Sequence, residues 1–257
     1  MASKTAIVTG ASAGIGYEAA KLFAQEGANV IAVARSSGKL ASLADEIVAA
    51  GGKAFALAGD IKQEDVAKQA VELAIEHFGG LDIAFNKAGT LGTLGTLGAL
   101  GEAAGISAAD WHDTLDTNLG SAFFCAKYQL PAMLKRGSAS LMFTSSFVGH
   151  AIGMPGMAAY AASKAGLVGL ARTLAVGYGA RGVRVNVLMP GGTDTEMGRA
   201  AASTPEARAF VEGIHATKRL ARPVEIARAA LFLASDAASF VTGSRLFVDG
   251  GVSMSKT

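Results

Sequence analysis

Residues 5–16 read TAIVTGASAGIG, and this short stretch decides the fold class. Its first five residues form an apolar run of the kind that is buried in a parallel β-sheet. A glycine-rich turn follows, and a helical pattern then runs to about Gln25. Glycine lets the backbone approach a phosphate closely, and a helix N-terminus supplies N–H groups and partial positive charge. Glycine turns also serve tight packing, but strand, turn and helix in this order predict a nucleotide site, with candidate residues Gly10, Ser12, Gly14, Ile15 and Gly16.

Strand and helix patterns alternate along the rest of the chain. Four consecutive strand–helix units imply a parallel sheet that is covered by helices on both faces. No linker interrupts this alternation. The sequence therefore predicts an α/β fold, a doubly wound parallel sheet of about seven strands, in a single domain over residues 1–257.

The residues after the second strand bear on the choice of cofactor. In dinucleotide-binding folds this position meets the adenosine ribose, and an NAD site has a carboxylate there. No Asp or Glu occurs between Glu26 and Asp45, whereas Arg35, Ser36 and Lys39 are present. These groups suit a 2′-phosphate and favour NADP(H), with NAD(H) still possible. The alternative is an ordinary solvated arginine at a strand end.

Polar residues follow several of the predicted strands. Ligands of doubly wound sheets bind beyond the carboxyl ends of the strands. We therefore expect Arg35, Asp60, Asn86 and Ser146 to surround one crevice together with residues 10–16.

Residues 145–164, SSFVGHAIGMPGMAAYAASK, carry the candidate reactive groups. Tyr160 and Lys164 lie four apart on a predicted helix, so they point the same way, one turn apart. A phenol with a pKa of roughly 10 is a poor proton shuttle at neutral pH. A cation about 5 Å away contributes roughly 3 kcal/mol at an effective dielectric of about 20. We expect it to lower the pKa of the phenol by about two units.

The serines at the start of this segment complete the constellation. Either Ser145 or Ser146, delivered by the preceding strand, could hydrogen bond the oxygen that Tyr160 protonates. A Tyr-x-x-x-Lys spacing by itself arises easily by chance. The Tyr-x-x-x-Lys spacing is informative here because it follows a glycine turn and several predicted parallel strands.

Three other segments border the expected crevice. Residues 90–101 repeat Thr-Leu-Gly, and we interpret residues 90–107 as a flexible loop whose leucines either roof an apolar substrate or have no role. Asn118 lies within a long helical pattern over residues 108–135, where asparagine is disfavoured, so it either caps a bend or acts in the site. The polar residues 193–216 contain two short helical patterns and are interpreted as a substrate lid.

Composition excludes several classes of protein. Hydrophobic residues make up 51% of the 257 residues and charged residues 17%, which is ample for a core and for subunit contacts. The net charge is +2 without a basic run, so neither nucleic acid nor a membrane is predicted as a partner. One cysteine, Cys125, and no signal peptide favour a cytoplasmic location, and no metal site is predicted. The helix over residues 157–175 is apolar nearly all round, which predicts a homotetramer.

Together these residues resemble the short-chain dehydrogenase/reductase family, in its ketoacyl-reductase-like branch, over essentially the whole chain. The resemblance is carried by residues 9–16, Asp60, Asn86-x-Ala88-Gly89, Asn118, Ser146, Tyr160-x-x-x-Lys164, Pro190-Gly191, residues 241–243 and residues 249–251. It implies a Rossmann-type fold and NAD(P)(H)-dependent oxidation and reduction of a small carbonyl or alcohol substrate.

The resemblance also implies roles for individual residues. Tyr160 would be the general acid in reduction and the general base in oxidation. Lys164 would lower the pKa of the phenol and hold the nicotinamide ribose. Ser146 would bind the substrate oxygen, and Asn118 would anchor a water molecule in a proton relay. The implied cofactor contacts are Asp60, Ile61, Asn86, Ala88, Gly89, Pro190, Gly191, Thr193 and Thr195.

Two features depart from the family pattern. Lys87 stands where the family usually has a second asparagine, which alters either packing at the sheet end or cofactor affinity. The loop after Gly89 is longer than usual, so relatives are a poor guide to the substrate.

The substrate candidates are mostly apolar residues near the reactive groups. Methionine adapts to irregular apolar ligands, which favours a hydrophobic or aromatic ketone, although methionines also fill cores. The candidates are Ser146, Phe147, His150, Met154, Met157, Met189 and Met197.

Three functions are compatible with this sequence. The first is an NADP(H)-dependent carbonyl reductase or alcohol dehydrogenase. The second is a dehydratase or epimerase on the same scaffold, and the third is a non-catalytic nucleotide-binding regulator. Retention of Ser146, Tyr160 and Lys164 together favours the first.

Overall fold

The computed structural model describes residues 1–92 and 103–255, in which parallel strands alternate with helices. The strands are β1 (Thr5–Thr9), β2 (Asn29–Ala34), β3 (Lys53–Ala58), β4 (Ile83–Asn86), β5 (Ala139–Thr144), β6 (Val183–Pro190) and β7 (Arg245–Val248). The helices are α1 (Gly14–Gln25), α2 (Ser37–Ala49), α3 (Glu64–Phe78), α4 (Ala108–Leu115), α5 (Ser121–Leu134), α6 (Ala158–Tyr178), α7 (Glu196–Ala201), α8 (Pro205–Ile214) and α9 (Pro223–Ala234). The repeat segment interpreted as a flexible loop lies largely outside the described residues.

The strands form one parallel sheet in the order β3-β2-β1-β4-β5-β6-β7. The order reverses between β1 and β4, so the crossovers to the two sides leave a crevice beyond the carboxyl ends of these strands. The Thr9 hydroxyl accepts hydrogen bonds from the backbone N–H groups of Lys87 and Ala88, both at 3.1 Å. The two strand ends at the crevice are therefore tied to each other.

Two apolar layers sandwich the sheet. Helices α1, α2 and α9 bury their apolar faces on one side, and α3, α5 and α6 do so on the other. Strand β1 is buried along its whole length, as its unbroken apolar pattern requires. The prediction of a doubly wound parallel sheet of seven strands with helices on both faces is confirmed.

The helix predicted over residues 108–135 is present over residues 108–134, but it is not a regular α-helix throughout. A π-helical turn, Asp116–Gly120, separates α4 from α5, and Asn118 lies in it. Such turns insert an extra residue and often occur at functional sites. The turn brings the Asn118 side chain inward, where it is 1% exposed. Helical periodicity alone does not reveal this irregularity.

A pair of side-chain amides joins the sheet to α5. Asn86 Nδ2 donates to Gln129 Oε1 at 2.8 Å, and Gln129 Nε2 donates to Asn86 Oδ1 at 3.0 Å. Both side chains are buried. The pair satisfies two polar groups that would otherwise be costly in the core and fixes the end of β4 beside the crevice.

None of the helices among the described residues has the length and apolar character needed to cross a bilayer.

The amide pair generates a stability prediction. Replacing Gln129→Ala leaves the buried Asn86 carboxamide without its partner, so we expect the free energy of unfolding to fall by about 2 kcal/mol in urea denaturation. The matched control is Gln69→Ala on the exposed face of α3, which should stay within about 0.5 kcal/mol of the parent. Equal losses in both variants would contradict the role given to the pair.

Candidate active site

A crevice of about 700 Å³ opens beyond the carboxyl ends of the strands, at the reversal of strand order. It holds most of the residues that the sequence nominated. Those that line it are Gly10, Ser12, Gly14, Ile15, Arg35, Ser36, Asp60, Ile61, Ala88, Gly89, Ser146, Tyr160, Lys164, Pro190, Gly191, Thr193 and Thr195. Residues that are far apart in sequence therefore share one cavity, as the fold rule predicts.

The glycine turn between β1 and α1 forms one wall. Gly10 and Gly14 have φ values of +68° and +57°, a backbone conformation that other residues rarely adopt. A Cβ on Gly16 would lie 2.2 Å from the Gly10 carbonyl oxygen, and one on Gly14 would lie 2.8 Å from Thr195 Cγ2. Gly16 therefore serves close packing below the turn and does not line the crevice. Gly10 and Gly14 line the crevice, and a side chain on either would be brought into close contact with Ala88 or Thr195.

Three cations lie at one end of the crevice. Lys39 pairs with Glu196 at 3.3 Å, and Lys62 pairs with Asp113 at 2.7 Å. Arg35 is exposed and makes no ion pair with any residue the structure describes. This end is the place where strand β2 terminates, so an unneutralised guanidinium faces the position expected for the adenosine ribose.

Tyr160 and Lys164 lie one turn apart on α6, and Lys164 is held firmly. Lys164 Nζ donates to the Thr144 carbonyl oxygen at 3.0 Å, and Ser145 Oγ donates to the Lys164 carbonyl oxygen at 2.7 Å. The ammonium lies 5.7 Å from the centre of the Tyr160 ring. Both serines line the crevice, but the Ser145 hydroxyl donates to this structural bond, so Ser146 is the better candidate to donate to a ligand.

The pKa shifts of Tyr160 and Lys164 differ from those expected from the sequence. Burial raises the pKa of Tyr160, and a hydrogen bond with the Ser146 hydroxyl opposes this effect. Burial, reinforced by the nearby charge of Lys87, lowers the pKa of Lys164 to about 7. The expected lowering of the pKa of the phenol by Lys164 is therefore wrong for this structure, because desolvation raises the pKa of the phenol and lowers that of the lysine.

Asn118 lies behind the crevice wall and does not line it. Its Oδ1 accepts from the Thr90 N–H at 2.7 Å, and its Nδ2 donates to the Thr90 carbonyl and to Ser163 Oγ, both at 2.9 Å. A Cβ on Gly89 would lie 2.8 Å from Asn118 Oδ1 and 3.0 Å from Lys164 Nζ. Asn118 thus fixes the start of the repeat loop immediately beside Lys164.

The apolar half of the crevice contains four of the nominated substrate residues, namely Phe147, Met154, Met157 and Met197. Met189 is 0% exposed within the core beneath the sheet, so it cannot meet a ligand. His150 lies outside the cavity, where its Nε2 contacts the Arg245 guanidinium. Both faces of β6 are covered by helices, so Met189 packs into one apolar layer and its neighbour Leu188 into the other.

Asn86 also differs from the placement that the sequence suggested. Its amide is committed to Gln129 in the core and does not line the crevice. Asn86 therefore acts on the site indirectly, because it positions the residues that follow it.

The structure adds one residue that the sequence did not indicate, His215, and places a second, Lys87, that the sequence had marked only as a departure from the family pattern. His215 is 1% exposed, its Nε2 accepts from the Gly192 N–H at 2.9 Å, and its Nδ1 lies 2.6 Å from the Val211 carbonyl oxygen. It joins α8 to the loop after β6, and no sequence signal marks it. Lys87 lines the crevice, and its departure from the usual asparagine was the available signal.

Comparison with known proteins agrees with this geometry. Residues 10–253 match the family model described as Enoyl-(Acyl carrier protein) reductase. An A-factor type gamma-butyrolactone 1′-reductase (1S-forming) of Streptomyces virginiae is 38% identical over 98% of this chain and 96% of its own length. A cyclohexanol dehydrogenase of an Acinetobacter species is 38% identical over 96% of this chain and 94% of its own length.

A solved structure is also similar. It is described as an NAD(P)-dependent gluconate 5-dehydrogenase of Beutenbergia cavernae with NADP bound at low occupancy. It superposes with a TM-score of 0.89 at 37% identity, over 98% of this chain and 97% of that one.

The fold and the crevice are those of a dinucleotide-dependent oxidoreductase. The chain belongs to the short-chain dehydrogenase/reductase family, whose members act on alcohol and carbonyl groups with NAD(P)(H).

The buried lysine generates a prediction about stability and pH. The pKa of Lys164 is about 7 in the folded chain against an ordinary value of 10.5. Between these values the unfolded chain binds more protons, so the free energy of unfolding rises with pH. Between pH 7 and pH 9 we expect the free energy of unfolding of the parent to rise by about 2 kcal/mol more than that of Lys164→Met.

Urea denaturation at pH 7, 8 and 9 measures this difference. The control is Lys135→Met, an exposed lysine at the end of α5, which should follow the pH profile of the parent. Parallel profiles for the parent and Lys164→Met would show that Lys164 is not titrating in this range.

Proposed function

We propose that this protein catalyses reversible hydride transfer between NADP(H) and a ketone or secondary alcohol. The observation that carries the proposal is the convergence of Ser146, Tyr160 and Lys164 on the crevice that also contains the glycine turn. A phenol, a hydroxyl and an ammonium ion beside a dinucleotide site are the groups needed to move a proton to or from a carbonyl oxygen.

The described residues fit a dinucleotide. Gly10, Ser12 and Gly14 of the glycine turn line the crevice beside the N-terminus of α1, which favours a diphosphate. Arg35 without a carboxylate partner supports NADP(H) over NAD(H), because a guanidinium pairs well with a 2′-phosphate. The similar gluconate 5-dehydrogenase, which was found with NADP, is consistent with this preference.

The side chains would divide the chemistry as follows. The dinucleotide supplies a hydride for reduction and accepts one in oxidation. Tyr160 gives its proton to the carbonyl oxygen in reduction and takes it back in oxidation, while Ser146 donates a hydrogen bond to the same oxygen. Lys164 would hold the nicotinamide ribose. Asn118, which lies with Lys164 around Gly89, would anchor a water molecule in a proton relay.

We infer an apolar substrate, cyclic or aromatic. Phe147, Met154, Met157 and Met197 supply an adaptable apolar wall opposite the reactive groups. Two relatives are named for a γ-butyrolactone and for cyclohexanol, both of which are ring compounds. Retention of Ser146, Tyr160 and Lys164 together favours redox chemistry over a dehydratase or epimerase, and a non-catalytic regulator would be expected to have lost one of them. Within this proposal residues 193–216 act as the lid.

The first test is a panel of cyclic and aromatic ketones and alcohols assayed with NADPH and NADH in parallel. For the best substrate we expect Tyr160→Phe to lower kcat by at least about 100-fold, because the general acid is removed. Calorimetry should show that this variant still binds NADPH.

The matched control is Tyr178→Phe at the far end of the same helix, which should retain the activity of the parent. Turnover of a ketone by Tyr160→Phe at the parent rate would refute the catalytic assignment.

A second test concerns cofactor choice. Arg35→Ala should raise the KM for NADPH by about tenfold, because a charge-assisted contact to the 2′-phosphate is lost, and should leave the KM for NADH within twofold. Arg228→Ala, which removes an exposed guanidinium from α9, controls for net charge. An equal change for both cofactors would place Arg35 away from the 2′-phosphate.

A further inference from the structure

Lys87 is a cation at the crevice whose charge no acid neutralises. It follows β4, and its aliphatic stem packs on the glycine turn: a Cβ on Gly10 would lie 3.2 Å from Lys87 Cδ. Burial lowers the pKa of Lys87, and no hydrogen bond or ion pair with a described residue counteracts it. Such a group is costly unless it finds an anion.

The acidic residues of the crevice are already committed. Asp60 and Asp113 contact Lys62 at 3.9 Å and 2.7 Å, and Glu196 contacts Lys39 at 3.3 Å. Among the described lining residues three cations have no carboxylate partner, namely Arg35, Lys87 and Lys164, and of these Lys164 has a hydrogen-bond acceptor in the Thr144 carbonyl oxygen. The missing anion must therefore come from a ligand.

The position of Lys87 indicates which part of a ligand it meets. Its stem lies beside Gly10, in the turn that precedes α1, and its positive charge contributes to the lowered pKa of Lys164. Lys87 therefore lies between the N-terminus of α1, which attracts a phosphate, and Lys164, which borders the part of the crevice where the substrate would react. In a bound dinucleotide the diphosphate that joins the two nucleosides would lie between these two points.

We propose that Lys87 binds the diphosphate of the dinucleotide, as an addition to the contacts from the glycine turn. This inference rests on the proposed function. It gives each anionic part of NADP(H) its own cation, Arg35 for the 2′-phosphate and Lys87 for the diphosphate. It also means that cofactor binding screens Lys164 from the repulsion of its neighbour, since the diphosphate neutralises the charge of Lys87.

The test separates the diphosphate from the rest of the cofactor. NADPH, ADP-ribose and 2′-AMP are titrated calorimetrically into the parent, Lys87→Met and Lys87→Arg. Lys87→Met keeps the stem but removes the charge. We expect Lys87→Met to weaken the binding of NADPH and of ADP-ribose about tenfold, or ~1.4 kcal/mol. Binding of 2′-AMP, which has no diphosphate, should weaken less than twofold. Lys87→Arg should recover most of the affinity.

Lys135→Met is the control for loss of one positive charge far from the crevice. Unchanged NADPH affinity in Lys87→Met, or an equal loss for all three ligands, overturns the assignment of Lys87 while leaving the proposed function intact. A parent that binds neither NADPH nor ADP-ribose overturns both.

Discussion

The burial of Lys164 is the constraint on which the site depends. Removing an ammonium group from water costs several kcal/mol, and the pKa of about 7 expresses that cost. The Thr144 carbonyl accepts its hydrogen bond, and Ser145 fixes the helix turn that presents it. Strand β5 and helix α6 therefore form one rigid unit, and this unit sets the position of Tyr160 relative to the glycine turn.

The same constraint explains why the lysine and the phenol do not simply act as a charged pair. Both groups are desolvated, so each is shifted toward its neutral form. An anion placed near Lys87 and Lys164 would restore the positive charge of the lysine. In the proposed mechanism the cofactor thus prepares the proton-transfer groups electrostatically as well as supplying the hydride.

The sheet and its layers were predictable because apolar runs, glycine turns and helical periodicity all pointed to the same topology. The positions of Tyr160 and Lys164 followed from their spacing on one helix. The π-helical turn at Asn118 did not, because one extra residue in a helix leaves no mark in periodicity.

Other misses arose from packing that only the three-dimensional structure defines. Met189 lies next to the site in sequence, yet it is in the core because helices cover both faces of its strand. His215 joins two segments that sequence analysis treated separately. The pKa of Tyr160 depends on desolvation, which a Coulomb argument at a fixed dielectric leaves out. The homotetramer, the single domain and the cytoplasmic location stay predictions.

The most direct measurement of the central claim is a crystal structure of the complex with NADP⁺. The account predicts the nicotinamide ribose within hydrogen-bonding distance of Lys164 Nζ and the Tyr160 hydroxyl directed at the reacting face of the ring. A dinucleotide bound elsewhere, or a Tyr160 hydroxyl directed away from the ring, would contradict it.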